Sequence, residues 1–154
     1  MALKYVKGDI LDAKIGIITH SCNCFLVFGA GLAKQIKDKY PRAYTECVAI
    51  MGKAEPRNRL GKAQIVEVIP GSLFICNAFG QYHYGRGNTV YTDYNALAQA
   101  LYGLNDWHSK YCPPDFPIYI PHGIGSGLGR GDKDIIHNII KNAVPNAVIV
   151  RKEG

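Results

Sequence analysis

No stretch of this chain carries the roughly 18 consecutive apolar residues that a membrane-spanning helix requires, so a bilayer span is excluded from the expected architecture. A secretory leader is not expected either, since no charged opening, apolar core and small-residue cleavage site begin the chain. The five cysteines are an odd number and none sits in Cys-x-x-Cys spacing. That argues against a disulfide framework and for reduced thiols in a cytoplasmic setting. Internal repeats, low-complexity tracts and linkers are also missing, so residues 1–154 read as a single domain. With 47% hydrophobic and 19% charged residues the chain is too apolar for a disordered segment. A chain of this length hides roughly 70% of its extended surface on folding, enough for a true core.

Acidic side chains are the minority: 12 Asp and Glu face 18 Lys and Arg, a formal charge of +6. The excess is spread along the chain, with two groupings, Lys34, Lys37, Lys39 and Arg42, then Lys53, Arg57, Arg59 and Lys62. They read either as solvated helix and loop faces or as an attraction toward an anion, nucleic acid or a phosphorylated small molecule. No RNA-recognition motif, zinc finger or basic zipper is present, and nucleic acid is not among the expected partners. Most of the ten tyrosines fall at apolar-periodic positions, where core packing accounts for them.

Strand and helix signals alternate. Leu3 to Lys7 alternates apolar and basic and ends at Gly8-Asp9; Ile15 to Thr19 is a continuous apolar run of the kind buried on both faces of a sheet. Phe28-Gly29-Ala30-Gly31 leads into a helix with Leu32, Ile36 and Tyr40 on one side. Pro41 ends that helix and suits the first turn of another reaching Met51-Gly52. Residues 53–61 read as a basic loop, and residues 63–69 and 73–78 as strands around the turn Pro70-Gly71. A glycine-containing loop fills residues 80–90. Thr92 is the expected cap of a helix burying Tyr94, Leu97, Leu101, Leu104 and Tyr111, with Gly103 weakening it. After Pro113-Pro114 come a short strand at Ile118–Ile120, a second glycine loop from His122 to Gly131, and a helix starting near Asp132. Ile135, Ile136, Ile139 and Ile140 form its apolar stripe, and Ala147–Val150 is a last strand. The pattern predicts an α/β domain with helices on both faces of a largely parallel sheet.

Two strand–glycine-loop–helix units carry the chemistry. Glycine lets backbone approach a ligand closely, and the helix that follows offers unpaired N–H groups at its positive end. Gly29-Ala30-Gly31 is one such cradle; Gly123, Gly125, Gly127, Gly129 and Gly131 form the other, and together they point to a phosphate. Neither is a Walker A loop or a dinucleotide GxGxxG in its usual position. His20-Ser21-Cys22-Asn23-Cys24 follows the buried strand. His20, Cys22 and Cys24 supply at most three ligands with no second pair at finger spacing, so no metal is expected and the two thiols read as packed inward. His20 is either hydrogen-bonded into the structure or an acid–base group beside Asn23, where a substrate would approach.

Lys7-Gly8-Asp9-Ile10, His20-Ser21-Cys22-Asn23, Gly29-Ala30-Gly31-Leu32-Ala33 and Gly125-Ser126-Gly127-Leu128 resemble, in order and spacing, the four signature segments of macrodomains. The His-Ser-Cys-Asn-Cys segment, the glycine-rich helix start and the closing Tyr-Pro resemble the yeast-type ADP-ribose 1''-phosphate phosphatase branch. Asn77 to Gln81 is similar to small phage and bacterial members. The resemblance implies a three-layer α/β/α macrodomain with a mixed, largely parallel sheet, ADP-ribose or a derivative as ligand, and no cofactor. It implies that Asp9 accepts from the adenine amino group with the Ile10 backbone beside the ring, and that Asn23 contacts the distal ribose. It also implies that Gly29, Ala30 and Gly31, with Leu32 behind them, line that ribose and its substituent. Gly125, Ser126, Gly127, Leu128 and Gly129 would wrap the diphosphate. For Asp9 the alternative is a turn cap.

Departures from the family narrow the chemistry. His20 stands where many members have asparagine, and Ala30 where many have a third glycine. Phe79-Gly80-Gln81 lacks the lysine of the glycohydrolase branch, and Gly129 replaces its acidic residue, which disfavours a covalent lysine–sugar mechanism. The expected activity is hydrolysis at the distal ribose C1'', foremost of ADP-ribose 1''-phosphate, with His20 as acid or base, Asn23 orienting the sugar and Asp132 as a further catalytic candidate. Asp132 reads equally as a helix-start acid. The alternatives are a mono-ADP-ribosyl hydrolase acting on protein or nucleic acid, and a non-catalytic ADP-ribose reader. Tyr82, His83 and Tyr84 either cover the sugar or face solvent.

Overall fold

The apolar run after Lys14 becomes the centre of the sheet. In the computed structural model, which describes residues 3–85, 87–127 and 129–152, β2 spans Gly16–Asn23, four residues beyond the apolar run. It lies between β4 (Leu73–Gln81) and β5 (Ile118–Pro121) and is parallel to both. Parallel strands buried on both faces need apolar side chains on both, and Ile17 and Ile18 are fully buried on opposite sides. Gly16 is required by the approach of β5: a Cβ there would stand 2.8 Å from the Pro117 carbonyl and 2.9 Å from the Tyr119 ring.

β1 (Lys4–Lys7) and β6 (Val148–Arg151) extend the sheet beyond β5, and β3 (Ala63–Ile69) closes the other edge. The order is β1-β6-β5-β2-β4-β3, parallel throughout except for the β3–β4 hairpin around Pro70-Gly71. Helices α1 (Gly31–Lys39) and α2 (Pro41–Met51) cover one face, where Ile36 and Ala43 pack with Ile18, Leu73 and Ile75. On the other face, α4 (Tyr94–Tyr111) and α5 (Lys133–Ala143) bring Leu97, Leu101, Leu104, Ile136 and Ile140 against Ile17, Ile118 and Ile120. The result is three layers, α/β/α. No described helix is long and apolar enough to cross a membrane.

Several sequence expectations are corrected. Asp93, not Thr92, caps α4: its Oδ1 accepts from the Ala96 amide at 3.0 Å, while Thr92 Oγ1 donates to the Gly125 carbonyl at 2.6 Å. Tyr111 is 69% exposed rather than buried, since α4 runs past the sheet before Pro113-Pro114 stops it. Tyr5, Tyr84 and Tyr102 are exposed too, so core packing does not account for most tyrosines as expected; Ile135 also faces outward. β4 continues to Gln81 and takes the first two residues of the expected 80–90 loop.

The basic segment 53–61 contains a short helix, α3 (Pro56–Arg59), and buries one of its cations. Arg59 donates from Nε to Met51 O at 2.7 Å, from Nη1 to Cys24 O at 2.6 Å and from Nη2 to Ala54 O at 2.7 Å. A planar fork of donors suits the carbonyls at and just past the end of α2, where the helix dipole is negative, and reaches the Cys24 carbonyl after β2 as well. Arg59→Ala is expected to lower the unfolding free energy by about 3 kcal/mol, because it orphans buried carbonyls as well as leaving a void. Arg59→Lys should recover only part, since one ammonium cannot span three directions. Urea unfolding at constant m-value checks both.

Candidate functional site

Strand carboxyl ends and the turns that follow them enclose a cavity of about 560 Å³, within the usual range for small-molecule sites. Its floor is the end of β2, residues His20 to Asn23. One wall is the entry to α1, Val27 and Gly29 to Ala33; the other is the turn from Pro121 to Gly129.

The α1 wall is defined by what it lacks. Asp93 and Asp132 cap α4 and α5, but the α1 cap position is Ala30, which has no side-chain oxygen to offer. Gly31 takes φ +59° at the first helical position, a conformation that favours glycine. Among the described residues, the amides of Gly29, Ala30 and Gly31 donate to no backbone carbonyl. Unpaired N–H groups at the positive end of a helix, opening on a cavity, form an anion site.

The facing turn is partly closed on itself. Gly123 and Gly125 have positive φ, Ile124 N–H donates to Pro121 O, and Gly131 N–H donates to Gly125 O. Ser126 donates both its amide (2.9 Å) and its hydroxyl (2.6 Å) to Gly123 O. The Tyr91 and Thr92 amides hold Gly129 O. Gly129 and Gly131 owe their identity to crowding. A Cβ at 129 would lie 2.5 Å from Thr92 Oγ1, and one at 131 would lie 2.7 Å from the Ile136 side chain. At Gly127 the space is open.

His20 is 2% exposed and points to the α2 face, its Nε2 2.5 Å from Asn77 Oδ1 and its ring edge-to-face with Phe28 at 5.3 Å. Burial disfavours the imidazolium and pulls its pKa down to about 4, the Asn77 hydrogen bond acting in the opposite direction. His20 is therefore a neutral imidazole at pH 7. The Cys22 and Cys24 thiols are buried as expected, and burial raises both, Cys24 to about 11. They are inert packing groups rather than nucleophiles.

The structure gathers His20, Asn23, Gly29, Ala30, Gly31, Leu32, Gly125, Gly127 and Gly129 around the cavity. Asn23 serves its own loop: Nδ2 donates to Val27 O, and Oδ1 accepts from the Phe25 and Val27 amides. Asp9, Ile10, Ser126 and Asp132 are not among the lining residues. Asp9 caps a 3₁₀ turn through the Leu11 amide, Ile10 is buried beside it, and Asp132 Oδ1 accepts from the Asp134 and Ile135 amides. Leu128 lies outside the described residues. Gln81, Tyr84, Gly85 and His122 also line the cavity. Tyr84, for which the sequence left open whether it covers the sugar or faces solvent, lines the cavity and stays 43% exposed, while Gln81 and His122 were not expected there. Phe25 packs against Tyr82 and His83, and the Arg57 guanidinium lies 4.4 Å over the Tyr82 ring.

The six-stranded order β1-β6-β5-β2-β4-β3 with helices on both faces is that of a macrodomain fold. The solved structure of a macrodomain protein from Streptomyces coelicolor superposes with a TM-score of 0.74 at 21% identity over 99% of each chain. No family model matches the sequence. An uncharacterized 17.5 kDa protein from the tk-vs intergenic region of Enterobacteria phage T4 is 32% identical over 145 residues, covering 91% of this chain and 88% of that protein. ADP-ribose 1''-phosphate phosphatase from Saccharomyces cerevisiae is 35% identical over 103 residues, covering 62% of this chain and 57% of the enzyme. The chain has the macrodomain fold and belongs to one family with the phage T4 protein, while its similarity to the yeast phosphatase is confined to a 103-residue stretch.

The lowered His20 pKa has a consequence for stability. Between pH 6.5 and about 4 the unfolded chain binds a proton that the folded chain refuses, so stability is complete above that range and falls as pH falls through it. From pH 7 to pH 5 this one residue should cost about 2 kcal/mol. Urea unfolding at the two pH values is expected to show that difference in the wild type and a smaller one in His20→Gln.

Proposed function

We propose that the chain binds ADP-ribose and hydrolyses a substituent at the distal ribose C1'', with ADP-ribose 1''-phosphate as substrate. The observation that carries this reading is the uncapped start of α1, opening on the cavity beside His20. The amides of Gly29, Ala30 and Gly31, with Leu32 behind them, take the substituent and distal ribose. The turn holding Gly125, Ser126, Gly127, Leu128 and Gly129 takes the diphosphate, and Asp9 offers its second oxygen to the adenine amino group beside Ile10. The Ser126 amide is already engaged, so the neighbouring glycine amides do the gripping. The activity of the yeast relative, an ADP-ribose 1''-phosphate phosphatase, supports the choice of substrate.

In this scheme water adds its oxygen to phosphorus, the bond from phosphorus to the sugar oxygen breaks, and inorganic phosphate leaves. His20, neutral at pH 7, takes the water's proton and the resulting strongly acidic imidazolium delivers it to the sugar oxygen. Backbone dipoles at the α1 end stabilise charge on the transferred group. Asn23 shapes the loop that brings α1 to the sugar, and Asp132 fixes the start of α5 from outside the cavity lining. A non-catalytic reader is the second reading. It is favoured by the hydrogen bonds that already occupy Asn23 and Asp132, which leave few free groups beside the cavity.

Calorimetric titration should show ADP-ribose binding that Asp9→Ala weakens, and the protein should release phosphate from ADP-ribose 1''-phosphate. His20→Ala should lose most of that rate while keeping ADP-ribose affinity. Tight binding without product from any substituted form selects the reader, and no binding at all sinks both readings. Ala30→Asp separates fold from function. A carboxylate at the cap satisfies the α1 amides and should stabilise the fold by about 1 kcal/mol. The same carboxylate competes with an anionic ligand and should weaken nucleotide binding about tenfold or more.

A further inference from the structure

Three polar side chains stand in one row across the sheet, on the face covered by α2. His20 on β2 is the register partner of Asn77 on β4, and Asn77 is the register partner of Gln64 on β3. All three are at most 9% exposed. Their hydrogen bonds run in one direction. Gln64 Nε2 donates to the Glu46 carbonyl at 3.3 Å, and Asn77 Nδ2 donates to the Ala43 carbonyl and to Gln64 Oε1, both at 3.2 Å. Backbone carbonyls only accept, so the α2 carbonyls of Ala43 and Glu46 fix which end of each amide faces which neighbour. Gln64 must turn its oxygen to Asn77, and Asn77 must turn its oxygen to His20. An oxygen 2.5 Å from the imidazole Nε2 demands a proton there.

We infer that Asn77, itself oriented by Gln64 and by two α2 carbonyls, is a positioning residue that holds His20 with its proton on Nε2 and leaves Nδ1 to accept a proton. The Cys22 sulfur lies 3.5 Å from Nε2 and 3.8 Å from Nδ1, and a protonated thiol is a weak partner that competes poorly with the Asn77 oxygen for the first and leaves the second open. Asn77 touches no cavity: it acts through the imidazole. A neutral amide orients the ring without raising its basicity, whereas a carboxylate in the same place would stabilise the imidazolium. The inference deepens the reading of His20 as the proton acceptor and rests on it for its catalytic meaning, but the tautomer is a property of the free protein.

Long-range ¹H–¹⁵N correlation spectra of the wild type without ligand should show the His20 proton on Nε2 and no titration between pH 5.5 and 8. In Asn77→Asp the imidazole should titrate within that window, and the acid limb of the rate profile with ADP-ribose 1''-phosphate should move upward with it. Asn77→Ala should lower kcat about tenfold or more with ADP-ribose affinity within about twofold, since binding does not depend on the tautomer. A wild-type proton on Nδ1 overturns the inference without any variant having to fold. So does an Asn77→Asp imidazole that titrates as in the wild type. If the spectra come out as expected and no substituted nucleotide is turned over, the positioning stands and the hydrolase reading falls.

Discussion

The row His20–Asn77–Gln64 is the constraint to which the rest of the site answers. It places polar groups on a sheet face that elsewhere buries Ile18, Ile75 and Leu73, and it is tolerable because both side-chain amides and the His20 Nε2 meet partners of the right kind, Nδ1 alone being left to a distant thiol. That matching exists in one register. A slip of β2 against β4 by one residue would turn His20 to the opposite face and set Thr19 against the α1–α2 layer. The turn after β2 is then fixed as well, because it leaves the sheet from a strand locked in that register.

Three helix ends illustrate how charge is distributed around the cavity. The α5 amides are answered internally by Asp132 and those of α4 by Asp93, which makes both helices self-sufficient at their starts. The α1 end is left to be answered from outside. The basic groupings contribute less to this than the net charge suggests: Lys34 pairs with Asp38, Arg42 with Glu46, Lys39 with the Leu11 carbonyl, and Arg59 with three carbonyls. The anion preference of the cavity comes from main chain rather than from lysine and arginine.

Much of the architecture was legible from periodicity and punctuation. Pro41 separates α1 from α2 as expected, the hairpin turns at Pro70-Gly71, and the continuous apolar run of β2 announces a strand buried on both faces. What stayed hidden depends on long-range partners. Thr92 and Asp93 are equally good caps by composition, and the distant Gly125 carbonyl recruits Thr92 away. Arg59 reads as a solvated cation until the end of α2 folds over it. Asn77 carries a legible signal as the polar residue in the middle of an apolar strand, whereas Gln64 shares its strand with Glu67 and does not stand out. The glycines of the 123–131 turn were legible as a cradle for an anion, but two of them answer to neighbouring side chains and backbone instead.

That last distinction bears on how such a sequence drifts over generations. Positions 129 and 131 are closed to any side chain by Thr92, Ile136 and the Gly125 carbonyl, whereas position 127 borders empty space. Descendants of this chain are free to experiment at 127, which lines the cavity and where an added side chain meets nothing. A change at 129 or 131 needs a compensating change at 92 or 136 first. Of the described glycines between 123 and 131, position 127 alone has open space around an added side chain, so that is where the backbone cradle tolerates novelty.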